Sequence, residues 1–283
     1  MHVAMTLADH LDLSMKTLYP AVASDYQWLL LQTLYTGSSR RAGIARLPIN
    51  SSHRGLDIGC GFGILTIEMA AAFGCTIEGV DSDQKILDYA KTLAATVPQI
   101  GSRIKWVHAD LEHLPYLPQS QDFVSARFVF QHTINPKAAL QELWRVIRPQ
   151  GLLYIEDIDD QLVLQYPDPP SEWQHILAAF SALQRKRGGD RTIGRKLPVW
   201  LTQTDFQVQW VNPVWQSATY RVNPDSDDFQ WEIHRIQDQL PELYDAGLLT
   251  SDEWRAGIKA LLDTNTQWAF ASNASLQILA LRN

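Results

Sequence analysis

Apolar positions along the 283-residue chain change their spacing several times, and each change marks a different kind of element. In residues 1–50, Leu11, Leu13 and Leu18, then Trp28 to Leu31 and Leu34, predict one or two packed helices broken at Pro20. From 54 to 158 short apolar runs alternate with helical patterns. Strands are predicted at 55–58, 76–80 (ending at Asp81), 104–108, 123–126 and 152–155. The first helix follows as an amphipathic run, 65–73. The second starts near Asp83, carries Ile86, Leu87, Ala90, Leu93 and Ala94 on one face, and stops at Pro98. A further helix opens on Asn135-Pro136, an N-cap with proline at the first helical position, and ends at Pro149-Gln150-Gly151. Such alternation predicts an α/β fold with a mainly parallel sheet.

Beyond residue 159 the pattern is mixed. A helix over 171–187 places Ile176, Leu177, Phe180 and Leu183 along one side and stops at Gly188-Gly189. A second helical segment opens at 193–198, and a strand is expected at 206–211. A helical insertion over about 227–267 contains a capping box at Thr250 and Glu253, and a last strand covers 276–281. The implied organisation is a helical cap (1–50), a core (51–160), and late strands with a helical lid (161–283), all in one unit without repeats.

The chemistry concentrates in Leu56-Asp57-Ile58-Gly59-Cys60-Gly61-Phe62-Gly63. A strand ending in three alternate glycines, followed at once by a helix, is a turn that permits close approach of a ligand to backbone. A dinucleotide fingerprint wants G-x-G-x-x-G, and its third glycine position is Ile64 here. A carboxylate at Asp57, pointing into the loop, suits a ligand with an ammonium group better than a diphosphate.

Charge and composition narrow the classes. With 24 basic against 31 acidic residues and a net charge of -7, the chain is a poor phosphate-backbone binder, so no nucleic-acid partner is expected. The one dense basic run, Arg185-Lys186-Arg187 with Arg191, Arg195 and Lys196 behind it, is read as a solvated helix end. Two cysteines, Cys60 and Cys75, make no disulfide framework and lack zinc-ligand spacing. No apolar run reaches the ~18 residues of a membrane span, and the N-terminus does not read as a signal peptide. A cytoplasmic protein without membrane or metal partners is expected. The acids Glu156, Asp157, Asp159 and Asp160 are read as a solvated run after a strand.

The glycine stretch resembles the first motif of class I S-adenosylmethionine-dependent methyltransferases, and the later landmarks extend the resemblance over about 100 residues. Asp81 stands after the second strand, Ala109-Asp110-Leu111 after the third, and Arg148-Pro149-Gln150-Gly151-Leu152 before the fifth. The wider layout is similar to the ubiquinone/menaquinone-biosynthesis-type small-molecule enzymes. The resemblance implies a Rossmann-like, mainly parallel seven-stranded sheet with a C-terminal lid. It also implies S-adenosyl-L-methionine as cofactor, with S-adenosylhomocysteine as product.

Its carry-over sets Gly59, Cys60, Gly61 and Gly63 against the methionine part and Asp57 near its ammonium. Asp81 would accept from the ribose hydroxyls, with Ser82 and Ile86 along the adenosine. Asp110 would hold the adenine amino group beside the Leu111 N–H, and Arg127 and Phe128 would face the sulfonium side. His132 is the candidate base for a small-molecule acceptor with an O, N or C nucleophile. Seven of the ten tryptophans lie in the C-terminal part (173, 200, 210, 215, 231, 254 and 268), and one or two are expected to line an acceptor pocket. The alternatives are a non-catalytic S-adenosylmethionine-binding partner protein and a nucleotide-dependent oxidoreductase, the latter opposed by Ile64. Base methylation is disfavoured because Arg127-Phe128-Val129-Phe130 stands where an Asn/Asp-Pro-Pro-aromatic tetrad belongs, and Asp168-Pro169-Pro170 comes after the fifth strand.

Overall fold

A computed structural model describes residues 5–223, 233–263 and 268–283. Seven strands form one sheet in the order β3-β2-β1-β4-β5-β7-β6. They are β1 (Arg54–Ile58), β2 (Thr76–Asp81), β3 (Ile104–His108), β4 (Gln121–Arg127), β5 (Ile147–Tyr166), β6 (Phe206–Arg221) and β7 (Trp268–Arg282). Strands β1 to β5 pair in parallel, and β7 runs antiparallel between β5 and β6. This is the expected Rossmann-like arrangement.

Alternation along the strands sorts the core into two layers. Leu152 and Tyr154 face the cluster under the N-terminal helices, whereas Leu153 and Ile155 face the opposite one. Helices α1 (Leu7–Leu18), α2 (Ser24–Tyr35), α3 (Gly37–Ile44), α4 (Ile64–Phe73) and α5 (Gln84–Ala94) lie on the first face. Helices α6 (Pro136–Val146) and α8 (Leu197–Gln203) lie on the second. The N-terminal region thus holds three helices, with Pro20 in a 3-10 turn between the first two.

That cover corrects the reading of α4 as amphipathic. Ile64 to Ala70 are all buried, as expected of a helix that is apolar all round. The one charge among them, Glu68, is held by Arg40 at 2.7 and 3.1 Å, both side chains being almost wholly buried.

A third apolar cluster joins Trp173, Ile176, Phe180 and Leu183 of α7 (Ser171–Lys186) to Ile233, Ile236, Leu243 and Leu249. The last two belong with α9 (Leu240–Asp245) and with the turn into α10 (Ser251–Leu262), which starts at the expected Thr250–Glu253 capping box. The remainder of the expected insertion, including Trp231, falls on residues outside the described ones.

The late strands are longer than expected. β5 runs 20 residues, β6 16 and β7 15, and beyond the core they continue as an antiparallel extension. The acids at 156–160 therefore lie inside β5 rather than after it. Glu156, Asp157 and Asp159 are 0, 0 and 2% exposed, not solvated. Arg127 pairs with Glu156 and Arg195 with Asp159. Asp157 accepts from the backbone N–H groups of Gln131 and Ile158. Asp160 is exposed and pairs with Arg191. Among the described residues no three His, Cys, Asp or Glu side chains gather as metal ligands, and no helix is long and apolar enough to cross a membrane.

Candidate functional site

The glycine turn joins β1 to α4 at the carboxyl edge of the sheet. Cys60 N–H donates to the Val80 carbonyl at 3.1 Å and Gly63 N–H to the Cys60 carbonyl at 2.8 Å, so the loop closes on β2 and on itself. A Cβ at Gly63 would stand 2.2 Å from the Trp106 ring, and one at Gly59 2.5 Å from Val129. Those two glycines are required by the protein's own packing. Gly61 differs: its φ is +54°, yet a Cβ there meets only Leu29 of α2, at 3.6 Å. The room for a Cβ at Gly61, which is itself buried, lies between this turn and α2 and marks the candidate cradle.

Two acids border the cradle. Asp81 ends β2 and accepts from the Gly61 N–H at 2.9 Å and the Asp83 N–H at 3.1 Å, one bond to each oxygen. Burial raises its pKa, opposed by those backbone donors. Each oxygen keeps a free lone pair, so two neighbouring hydroxyls can be accepted. Asp110 is exposed at the end of β3 and accepts from the Glu112 N–H at 2.7 Å. Ala109 N–H donates to the Asp81 carbonyl at 3.0 Å, which fixes the two acid-bearing turns together. Ser82 is exposed beside them, its carbonyl taking the His108 Nε2 proton at 2.8 Å. Leu111 packs partly buried against the second core cluster.

Helix α2 lies over the turn. Tyr26 donates its hydroxyl to Asp83, the N-cap of α5, at 2.5 Å, and Lys85 lies over the Tyr26 ring at 5.2 Å. That bond raises the Tyr26 hydroxyl to about 12. Leu29 faces Gly61, and with Trp28 it also lines the adjoining cavity.

Three sequence expectations change here. Asp57 does not point into the loop. It is 1% exposed, and its oxygens accept from Thr66 of α4 at 2.6 Å and Ser125 of β4 at 2.9 Å. Ile86 is 2% exposed within the first core cluster, so it shows no open face for an adenine ring. Arg127 turns to Glu156, with bonds of 2.9 and 3.2 Å, and to Ser39 Oγ at 3.0 Å, joining α3 to the sheet. Cys60 lies in the turn with its thiol largely enclosed. Burial, with the charges of Asp57 and Asp81, pushes its thiol well above the ordinary range, so it stays neutral.

Beyond the cradle lies a cavity of about 880 Å³, walled by α2, the β5–β6–β7 extension and α7. Phe128 lines it from a strained backbone, φ +60°, with its N–H on the Glu156 carbonyl at 2.8 Å and the Arg127 guanidinium 4.1 Å from its ring. His132 ends the next 3-10 turn and faces the same cavity. Burial by the walls, then Arg191 and Arg187, holds its pKa down to about 4. Of the seven C-terminal tryptophans, Trp173 lines the cavity and packs against Trp254, ring centres 6.1 Å apart. Trp210 instead meets Tyr154 and Arg46, Trp200 lies near Lys137, and Trp215 and Trp268 are 44 and 51% exposed.

The site contains two buried carboxyls with raised pKa values, Asp57 at about 6 and Asp157 at about 7, both lifted by burial against their hydrogen bonds. The folded protein binds these protons more tightly than the unfolded chain does, so their contribution to stability falls as pH rises from about 4 through 6–7. His132, held down to about 4, acts in the opposite sense below about 6.5, and the two acids together outweigh it. Unfolding in urea should therefore show a higher midpoint at pH 5 than at pH 8. Asp157→Asn should flatten the difference, and an unchanged difference would remove Asp157 as its source.

A family described as methyltransferase domain matches residues 56–155. The chain is 32% identical over 108 residues to the mitochondrial ubiquinone biosynthesis O-methyltransferase of Schizosaccharomyces pombe, covering 38% of this chain and 39% of that one. It is 32% identical over 115 residues to the demethylmenaquinone methyltransferase of Lactobacillus johnsonii, covering 40% and 46%. The chain thus spans less than half the length of these relatives. Among solved structures, a geranyl diphosphate C-methyltransferase from Streptomyces coelicolor A3(2) aligns with a TM-score of 0.54 at 13% identity, covering 87% of this chain and 76% of that one. That structure carries Mg2+, geranyl-S-thiolodiphosphate and S-adenosyl-L-homocysteine.

Proposed function

We propose that the chain is a class I methyltransferase that transfers a methyl group from S-adenosyl-L-methionine to a small-molecule acceptor, a reading supported by the match of residues 56–155 to a methyltransferase domain. The observation that carries this reading is the cradle at Gly61, open to α2 and bordered by Asp81 and Asp110. Its donors and acceptors suit a nucleoside with an aminoacyl tail. Asp81 would accept from the ribose hydroxyls and Asp110 from the adenine amino group. Gly59, Gly61 and Gly63 would lie along the methionine part, with Leu29 closing the cradle from α2. Asp57 would act indirectly, holding the turn through Thr66 and Ser125. When bound, the cofactor supplies a methyl group activated by a sulfonium.

The chain's own residues then have to place an acceptor and exclude water. Orientation of this kind is worth on the order of 7–11 kcal/mol, against about 10²–10⁴-fold for a general base. The cavity beside the cradle is within the usual range of about 300–1,000 Å³ for small-molecule sites. Phe128 and His132 lie on its wall where donor and acceptor regions meet. The relatives' names support a small-molecule acceptor, and only that class is carried over here. Residues 161–283, with α7, α9 and α10, would supply most of the acceptor wall.

The test is a screen of phenolic, amine and carboxylic acceptors with cofactor labelled in its methyl group. Label moving into an organic product supports the reading. Donor binding without transfer to any acceptor favours the non-catalytic alternative.

A further inference from the structure

The basic run is an exposed helix end, as expected. Arg185, Arg187 and Arg191 also line the 880 Å³ cavity, which Phe128 and His132 line as well. The chain leaving α7 folds back on the turn that carries His132. Asp190 N–H donates to the Gln131 carbonyl at 2.9 Å, and Arg191 Nη1 to Gln131 Oε1 at 3.0 Å.

We propose that the acceptor enters as an oxyanion, a carboxylate or phenolate oxygen on an apolar body, seated against Arg187 and Arg191 with His132 beside it as a neutral neighbour. This rests on the methyl-transfer reading and specifies its acceptor.

The argument is electrostatic and geometric. His132 sits among cations in a cavity wall and is neutral at any pH near 7, but with so low a proton affinity it is a weak base. The same positive charge that disfavours imidazolium favours an anion in its place. Arg187 and Arg191 already have partners, so an oxyanion would share them with the nearby acids. Asp160 pairs with Arg191, Glu242 and Gln239 hold Arg187, Asp190 meets Lys196, and Asp157 lies under the turn accepting the Gln131 N–H. Arg185, exposed at the same end, makes no ion pair among the described residues. Desolvation, the larger cause of the low His132 pKa, opposes an anion as well, so the arginine charges must outweigh it for an oxyanion to bind. The acceptor's O–H proton leaves to solvent on binding, so the protein needs no base for it. Trp173, Leu177, Phe180 and Val163 elsewhere on the wall suit an aryl or alkyl body.

Two probes separate the two oxyanion sources. For phenolate, 4-nitrophenol is titrated by absorbance with and without the protein. The bound probe should ionise about one pH unit below its free value, as a nearby opposite charge requires. The shift should vanish in Arg187→Gln and Arg191→Gln and persist in His132→Gln. For carboxylate, 11-(dansylamino)undecanoate should bind at least about ten-fold tighter than its methyl ester, with the ratio falling below about three-fold in the arginine variants. Arg185→Gln, at an exposed residue with no ion pair among the described residues, should lower the ratio without affecting folding. Either arm succeeding supports the proposal and names the source. A bound phenol that titrates at or above its free value, together with equal binding of acid and ester, overturns it, as does failure of both probes to bind. Calorimetry with S-adenosylhomocysteine on the same samples separates the two readings. Donor binding without anion preference sinks this inference alone. Arginine-dependent anion binding without donor binding sinks the methyl-transfer reading instead.

Discussion

Replacing Arg127 by alanine is expected to destabilise the fold by about 3–5 kcal/mol, because it leaves a buried carboxylate without its counter-ion. Glu156 is 0% exposed and lies in the middle of β5. Burial alone would raise its pKa. Arg127, Ser275 at 2.8 Å and Gln277 at 3.2 Å outweigh that and hold it below the ordinary carboxylate value. A depressed acid contributes stability above its unfolded pKa and loses it as pH falls through the folded value. Without Arg127 the sign reverses, since the native state would then favour the protonated form. The deficit should thus be largest near pH 7 and shrink toward pH 5, and Glu156→Gln in the same chain should recover much of it. Urea unfolding measures this directly. A loss under about 1 kcal/mol at pH 7 would show that α3 and the sheet are joined by something else.

Gly61→Val should lower affinity for S-adenosylhomocysteine by at least about 100-fold, or ~2.7 kcal/mol, in a chain that still folds. The turn would pay about 1–3 kcal/mol for a branched residue at positive φ. A Cβ there meets only Leu29, at an ordinary contact distance of 3.6 Å. Gly63→Val gives the contrast, since its side chain would enter the Trp106 ring and the variant should not fold stably. Two glycines of one motif thus separate by cause, one with room for a Cβ and one closed by a neighbour. Tight binding by a folded Gly61→Val would place the methionine part elsewhere.

The parallel core was legible because its information is local. Apolar runs and the Asn135-Pro136 start mark their own boundaries, and β1, β3 and the starts of α5 and α6 lie within a residue of the expected positions. Helix α5 ends at Ala94 and α6 at Val146, before the expected stops, and Pro149-Gln150-Gly151 lies within β5. What was not legible depends on distant partners. The acids of β5 resemble a loop until Arg127, Arg191 and Arg195 are placed beside them. Asp57 resembles a ligand contact until Thr66 and Ser125 occupy it. Helix α4 has no polar face to read because α1 to α3 cover the side that solvent would have touched. The roof over the glycine turn shows the same limit. Tyr26 and Leu29 carry no motif, and only the folded chain sets them over Asp83 and Gly61.

The most direct measurement of the central claim is calorimetric titration of the chain and of Asp81→Ala with S-adenosylhomocysteine and with NAD. The account predicts that the unmodified chain binds S-adenosylhomocysteine and not NAD, and that Asp81→Ala weakens that binding by about 100-fold or more, the loss expected when charge-assisted hydrogen bonds to two hydroxyls disappear. Binding of NAD in place of S-adenosylhomocysteine, or an Asp81→Ala affinity equal to that of the unmodified chain, would contradict it.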